Sequence, residues 1–120
     1  MEPIGKNAGL IHTLLDAAVA RHKVIARNLA NVDTPGYRAK DLRFSRDLEQ
    51  AIARGEGTSV KNGGFECVER DGPVKQDGNS VDLDRELSAM SGNSLTYQTL
   101  VTLVAMKTTR MRSAIAGRSG

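Results

Sequence analysis

Over the first quarter of the chain, apolar residues return at helical spacing: Leu10, Ile11, Leu14, Leu15, Ala18, Ile25 and Leu29, with Arg21, Lys23 and Arg27 between them. Steps of three and four place them on one face and predict a helix over residues 8–32. Within it Ile11, Ala18, Ile25 and Val32 recur at the heptad interval, which holds a side chain on a coiled-coil seam. A second seam row is weaker, because Arg21 and Asn28 occupy it.

The last third is more regular. Steps of four and three from Leu83 reach Leu87, Met90, Ser94, Tyr97, Val101, Val104, Thr108, Met111 and Ile115. All but Ser94 and Thr108 are apolar, and no proline interrupts, so the pattern predicts one helix over residues 80–116 that packs as a coiled coil. Ser80 suits its N-cap, Asp82 and Asp84 fall in its first turn, and Gly117 can close it. Roughly 37 helical residues would reach about 55 Å.

Between the helices, residues 33–44 read as a turn followed by an extended arm. SRDLEQAIARG predicts a short helix over residues 45–55, closed by Gly55. Residues 56–79, rich in Gly, Asp, Asn and charge, read as a flexible or partner-ordered loop with at most a short strand at Phe65 to Glu69. The fold class is therefore all-α: one elongated unit in which the N- and C-terminal helices pair antiparallel, around an irregular, partly flexible centre. The seam side chains fall well short of offsetting the backbone entropy of so long a helix. Further helices, most simply from other subunits, are expected against Leu95, Leu100 and Leu103.

Composition sharpens this picture by subtraction. The aromatic residues are Tyr37, Phe44, Phe65 and Tyr97, with no Trp, so the side chains that dominate compact cores are scarce. The single Cys67 excludes an intramolecular disulfide and a thiolate zinc site. The start, MEPIGKNAGLIHTLLDAAVA, lacks the pattern of a cleavable secretion signal. No apolar run approaches the roughly 18 residues that span a bilayer, so direct membrane insertion is not expected. A net charge of +3 arises from 17 basic and 14 acidic residues spread along the chain. That is a solvated surface rather than a nucleic-acid footprint. Lys107, Arg110 and Arg112 complement a helix C-terminus.

Catalytic chemistry is missing. His12 and His22 lie about 80° apart around the helix after nearly three turns and cannot share a metal. Cys67 has no sequence neighbour to activate it, and the glycines at 55, 57, 63 and 64 lack the Gly-Lys-Ser/Thr of a phosphate loop. Asp82, Asp84 and Glu86 read as dipole-complementing, solvated acids. The chain is not expected to be an enzyme, and no cofactor or metal is implied.

The most idiosyncratic stretch is ANVDTPGYRAKDLRF, residues 30–44. Pro35 cannot continue the helix and biases Thr34 away from helical geometry. Pro35-Gly36 fits the centre of a type II turn. Asn28 and Asn31 share a helix face, placed to bond the last free carbonyls or the returning chain. Tyr37, Leu42 and Phe44 alternate with Arg38, Lys40, Asp41 and Arg43, as in an arm with an apolar and a charged side. Chemistry alone leaves an ordinary helix stop as the simpler reading.

The run Ala30-Asn31-Val32-Asp33-Thr34-Pro35-Gly36-Tyr37, followed by Lys40-Asp41-Leu42 and Phe44, resembles the signature after the first helix in proteins of the bacterial flagellar rod, and its Asp-Thr-Pro-Gly-Tyr version is most similar to those of the proximal rod. A second similarity is Gly78-Asn79-Ser80-Val81-Asp82-Leu83-Asp84-Arg85-Glu86-Leu87, with Tyr97-Gln98 beyond. The resemblance covers all but the middle of the chain. It implies a structural subunit of the basal-body drive shaft, required for motility, whose terminal helices form a coiled-coil inner domain. It further implies export by the flagellar type III apparatus, and as partners other copies, adjoining rod proteins and the export-gate and ring junction at the rod base. Asn28, Asn31, Asp33, Thr34, Pro35, Gly36, Tyr37, Asp41 and Phe44 would form the assembly motif. Ile11, Ala18, Ile25, Leu83, Leu87, Met90, Tyr97, Val101, Val104, Met111 and Ile115 would form the seam. Gly92 departs from the family pattern and would weaken, and bend, the second helix. The runner-up is a basic helical-hairpin module for nucleic acid or a partner helix.

Overall fold

Two long helices carry a small hairpin of strands at their joined end. The computed structural model describes residues 4–56 and 64–119. In chain order the elements are α1 (Ile4–Ala30), β1 (Lys40–Phe44), α2 (Arg46–Ala53), β2 (Phe65–Glu69) and α3 (Leu83–Ser119). The molecule measures 69 × 26 × 18 Å. The helices run antiparallel, since Asn28 meets Glu86 whereas Ala18, earlier on α1, meets Asn93, later on α3. Beyond the Asn28–Glu86 contact α3 continues for about 50 Å and α1 for about 36 Å. The end of α3 therefore outreaches α1, and residues 108–117 are all exposed.

The expectation of an all-α chain needs correction. β1 and β2 pair antiparallel in the register Lys40↔Glu69 to Phe44↔Phe65, so the arm finds its backbone partners within its own chain. Hydrogen-bonding groups on an extended segment demand such partners, and FECVE supplies them. Phe44 and Phe65, opposite each other at the hairpin's far end, bring their rings to 5.4 Å, and Arg43 on β1 pairs with Glu66 on β2 at 2.6 Å. Within residues 56–79, expected as a loop with at most a short strand at Phe65 to Glu69, β2 occupies that strand, and Lys75, Asp77 and Asn79 bond the end of α1 and the turn after it. Residues 57–63 lie outside the described residues.

Ser45 caps α2, its hydroxyl accepting from the Leu48 N–H at 3.2 Å. At the other end the Gly55 N–H bonds Ile52 O and the Glu56 N–H bonds Ala51 O, both at 2.9 Å, with Gly55 at φ +72°. This double closure is a Schellman motif, and glycine adopts its left-handed position without a Cβ penalty. Leu48 and Ala51 are the buried residues of this helix.

The limits of α3 also differ from those read in the sequence. Asp82, not Ser80, caps it: its carboxylate accepts from the Arg85 N–H and its carbonyl from the Glu86 N–H. The Ser80 hydroxyl is taken by the Ala39 N–H at 2.7 Å. The helix passes through Gly117 to Ser119 and stays continuous through Gly92.

The core is small. Its apolar members are Ala17, Ala18, Ile25, Ala39, Leu48, Ala51, Val81 and Leu100. Leu100 thus faces inward, contrary to the expectation that it awaits another subunit, whereas Leu95 and Leu103 are exposed. On α3 the buried row is Glu86, Asn93 and Leu100, which lies beside the apolar row rather than on it. Leu83, Leu87, Tyr97, Val101, Met111 and Ile115 are all exposed in the single chain, and Met90 and Val104 are half-buried. On α1 Ile11 is half-buried, and Ala18 and Ile25 are buried.

Candidate functional site

The joint at the end of α1 is built by the turn and by the run that leads into α3. α1 first tightens, with Asn31 N–H bonding Asn28 O and Val32 N–H bonding Leu29 O, the short-range pattern common at helix ends. Tyr37 N–H then bonds Thr34 O at 3.2 Å around Pro35-Gly36, with Gly36 at φ +75°. A type II turn requires that sign at its third residue. Gly36 also donates to Asp77 O at 2.9 Å, and a Cβ on Gly78 would sit 3.3 Å from the Gly36 Cα. The close approach of the two backbones calls for glycine at 78, whereas a Cβ on Gly36 would meet nothing within 4 Å; Gly78, at φ +83°, needs glycine for its conformation as well.

Asn79 completes the joint from the other side. Its fully buried amide Nδ2 lies 2.8 Å from Asn31 O, 3.1 Å from Val32 O and 2.7 Å from Thr34 O. Its Oδ1 accepts from the Val81 N–H at 2.7 Å. The carbonyls of the turn that follows α1 are thereby tied to the chain that enters α3. The Ser80 N–H bonds Tyr37 O at 2.9 Å and continues the seam between the two segments.

Asn28 holds the returning chain. Its Oδ1 accepts from the Lys40 N–H at 2.9 Å and the Tyr37 hydroxyl at 3.3 Å. Its Nδ2 donates to Lys40 O at 2.9 Å and to Glu86 Oε2 at 3.2 Å. Every hydrogen-bonding position of this buried amide is in use. Arg70 lies beyond it. Nη1 meets Glu86 Oε1 at 2.6 Å, and Nε and Nη2 meet Asp41 Oδ1 at 3.0 and 2.7 Å. The hydrogen bond to Asp41 and then Glu86 outweigh burial and raise the Arg70 pKa above its ordinary value, so the guanidinium is charged under any physiological condition.

Of the remaining sequence candidates, Asn31 donates to Arg27 O at 2.8 Å and accepts from the Thr34 hydroxyl at 3.1 Å. Asp33 and Pro35 are exposed. Phe44 stands apart from the joint, with the Arg21 guanidinium 5.5 Å from its ring centre. Sequence reasoning missed Arg70, gave Asn79 no specific role and read Glu86 as a solvated, dipole-complementing acid. Glu86 is wholly buried, not a solvated dipole acid. The signal available for Asn79 and Glu86 was their place in GNSVDLDREL; Arg70 had none.

Among the described residues, no group of three or more His, Cys, Asp or Glu side chains is placed to hold a metal, and no helix is long and apolar enough to cross a membrane. The joint ties β1 and the entry to α3 to the end of α1, and the longer helix shows its apolar row to solvent.

Comparison with known proteins places it. The family model for flagella basal body rod proteins matches residues 15–38, the second half of α1 and the turn. The chain is similar to the flagellar basal body rod protein FlgB of Bacillus subtilis, at 31% identity over 117 residues covering 89% of this chain and 91% of that protein. It is likewise similar to FlgB of Salmonella typhimurium, at 30% identity with coverage of 86% and 88%, and of Escherichia coli, at 35% with coverage of 70% and 74%. The chain belongs to the family of flagellar basal body rod proteins. Its role is that of a structural component of the proximal rod, not an enzyme, and it assembles with other rod components.

Proposed function

We propose that the subunit builds the proximal rod by helical packing of its long helices against other copies and the adjoining rod proteins, including those where the rod meets the export gate, after delivery by the flagellar type III apparatus. The observation that carries this reading is the apolar row Leu83, Leu87, Tyr97 and Val101 on α3, exposed in the single chain while the separate row Glu86, Asn93 and Leu100 is buried. An apolar stripe of this length on a helix calls for further helices. Burial supplied by neighbours also suits a chain delivered unfolded, which gains its stability on assembly. In this reading the turn acts as a geometry-setting joint between the inner helix and the hairpin.

Deleting the gene is expected to abolish swimming and leave basal bodies without a proximal rod, and the wild-type chain should restore both. A different missing segment on electron microscopy would reassign the subunit within the rod. Replacing Pro35 and Gly36 together by Ala should lower swimming far more than it lowers the cellular level of the protein. A normal swim ring from that double variant would remove the special role of the turn.

A further inference from the structure

Where the hairpin meets the two helices, the contact is carried by charge. The apolar side chains buried there, Ala39, Val81 and Ile25, are small or compact, and apolar contact is non-directional. The polar groups are directional and join every element of the joint. Glu86 on α3 is fully buried between Arg70 Nη1 and the Asn28 amide of α1. Arg70 follows β2 directly, and its backbone N–H bonds Ala39 O at 2.8 Å, just ahead of β1. Its side chain is 12% exposed and reaches Asp41 on β1 with two nitrogens.

We propose that Arg70 and Glu86 are positioning residues for rod assembly: with Asn28 and Asp41 they lock the β1–β2 hairpin to the α1–α3 pair in one orientation. The proposal rests on the reading above, in which the subunit presents hairpin and helices to its neighbours at a fixed angle. Desolvating two ions is costly, and replacing a buried ion pair by apolar residues of similar volume is often neutral or stabilising. A chain that needed only stability would do as well with leucines here. A planar guanidinium between two carboxylates, one of them also bonded by an amide, accepts few relative orientations, and that is what an apolar contact does not supply. Asn93 repeats the pattern further along α3, its buried amide bonding Ala18 O at 2.8 Å. Isolated polar residues in a helical seam fix register in the same manner.

The test compares Arg70→Leu, Glu86→Leu and their double variant in the full-length chain, produced in a strain that lacks the gene. Arg70→Leu strands the buried Glu86 carboxylate and should lower the melting temperature by roughly 10–20 °C, whereas Glu86→Leu leaves Arg70 paired with Asp41 and should lower it less. The double variant should melt close to wild type, yet its swim ring should stay at the size of the deletion strain. Spin labels on Cys67, which is exposed on β2, and on an introduced Ser88→Cys on α3 should give one narrow distance peak in the wild-type background and a broad one in the double variant. Recovery of swimming together with melting temperature, or a distance peak that stays narrow, would overturn the proposal. Should the double variant not fold, Arg70→Lys decides: it keeps the charge without the fork and should melt near wild type with a clearly reduced swim ring, so a full-sized ring refutes the lock. If the wild-type chain itself does not restore swimming, it is the rod reading that fails.

Discussion

The turn that follows α1 turns its carbonyls inward, and they are met by a side chain 48 residues beyond Asn31. Replacing Asn79 by Ala would deprive Asn31, Val32 and Thr34 of their shared donor and leave the Val81 N–H without its acceptor. The expected cost is about 2–3 kcal/mol, read as a lower urea midpoint at unchanged slope. An undiminished midpoint would mean that water replaces the amide freely. At this scale the sequence is legible where cause and effect are neighbours. Pro35 and Gly36 carry their own dihedral preferences, so the turn at Thr34 to Tyr37 could be read directly. Asn79 bonds carbonyls 45 or more positions away, and Glu86 has its partners 16 and 58 positions back, at Arg70 and Asn28. An acid in the first turn of a helix looks like a dipole partner until Arg70 is brought against it.

Elements were legible in kind more than in allegiance. Helical spacing marked α1 and α3, because apolar residues sustained at that period over many turns fit no strand or loop. Alternation marked the arm as extended, yet it could not say that FECVE would be its partner, since strand pairing is a tertiary event. The apolar row of α3 was read as the contact with α1. In the structure α1 instead meets the row of Glu86, Asn93 and Leu100, because the Asn28 and Asn93 amides select a face that hydrophobicity alone would not. The helix also tolerates Gly92 without a break. A Cβ there would meet nothing within 4 Å, so Gly92→Ala should stabilise the chain by about 1 kcal/mol through helix propensity alone. A thermal melt checks this, and a destabilised variant would show that glycine serves a contact or a bend.

For the molecule as a whole, the question is what each face of α3 is for. If the inward row holds the monomer and the outward row builds the rod, substitutions on the two rows should separate stability from assembly. Leu87 and Val101 are 48% and 43% exposed, whereas Leu100 is 8% exposed. Gln is a good helix former, so Leu87→Gln with Val101→Gln should shift the stability of the isolated chain by no more than about 0.5 kcal/mol per site. The same pair places amides where neighbouring helices would bury leucine and valine, and swimming should be lost. Leu100→Ala should do the reverse in vitro, costing the isolated chain about 2–3 kcal/mol by opening a cavity. Its outer row is intact, so the rod, which adds burial by mass action, should still support swimming at reduced temperature. Equal loss of swimming in both, in proportion to melting temperature, would mean that the rows are not specialised and that rod assembly tracks only how well the monomer folds.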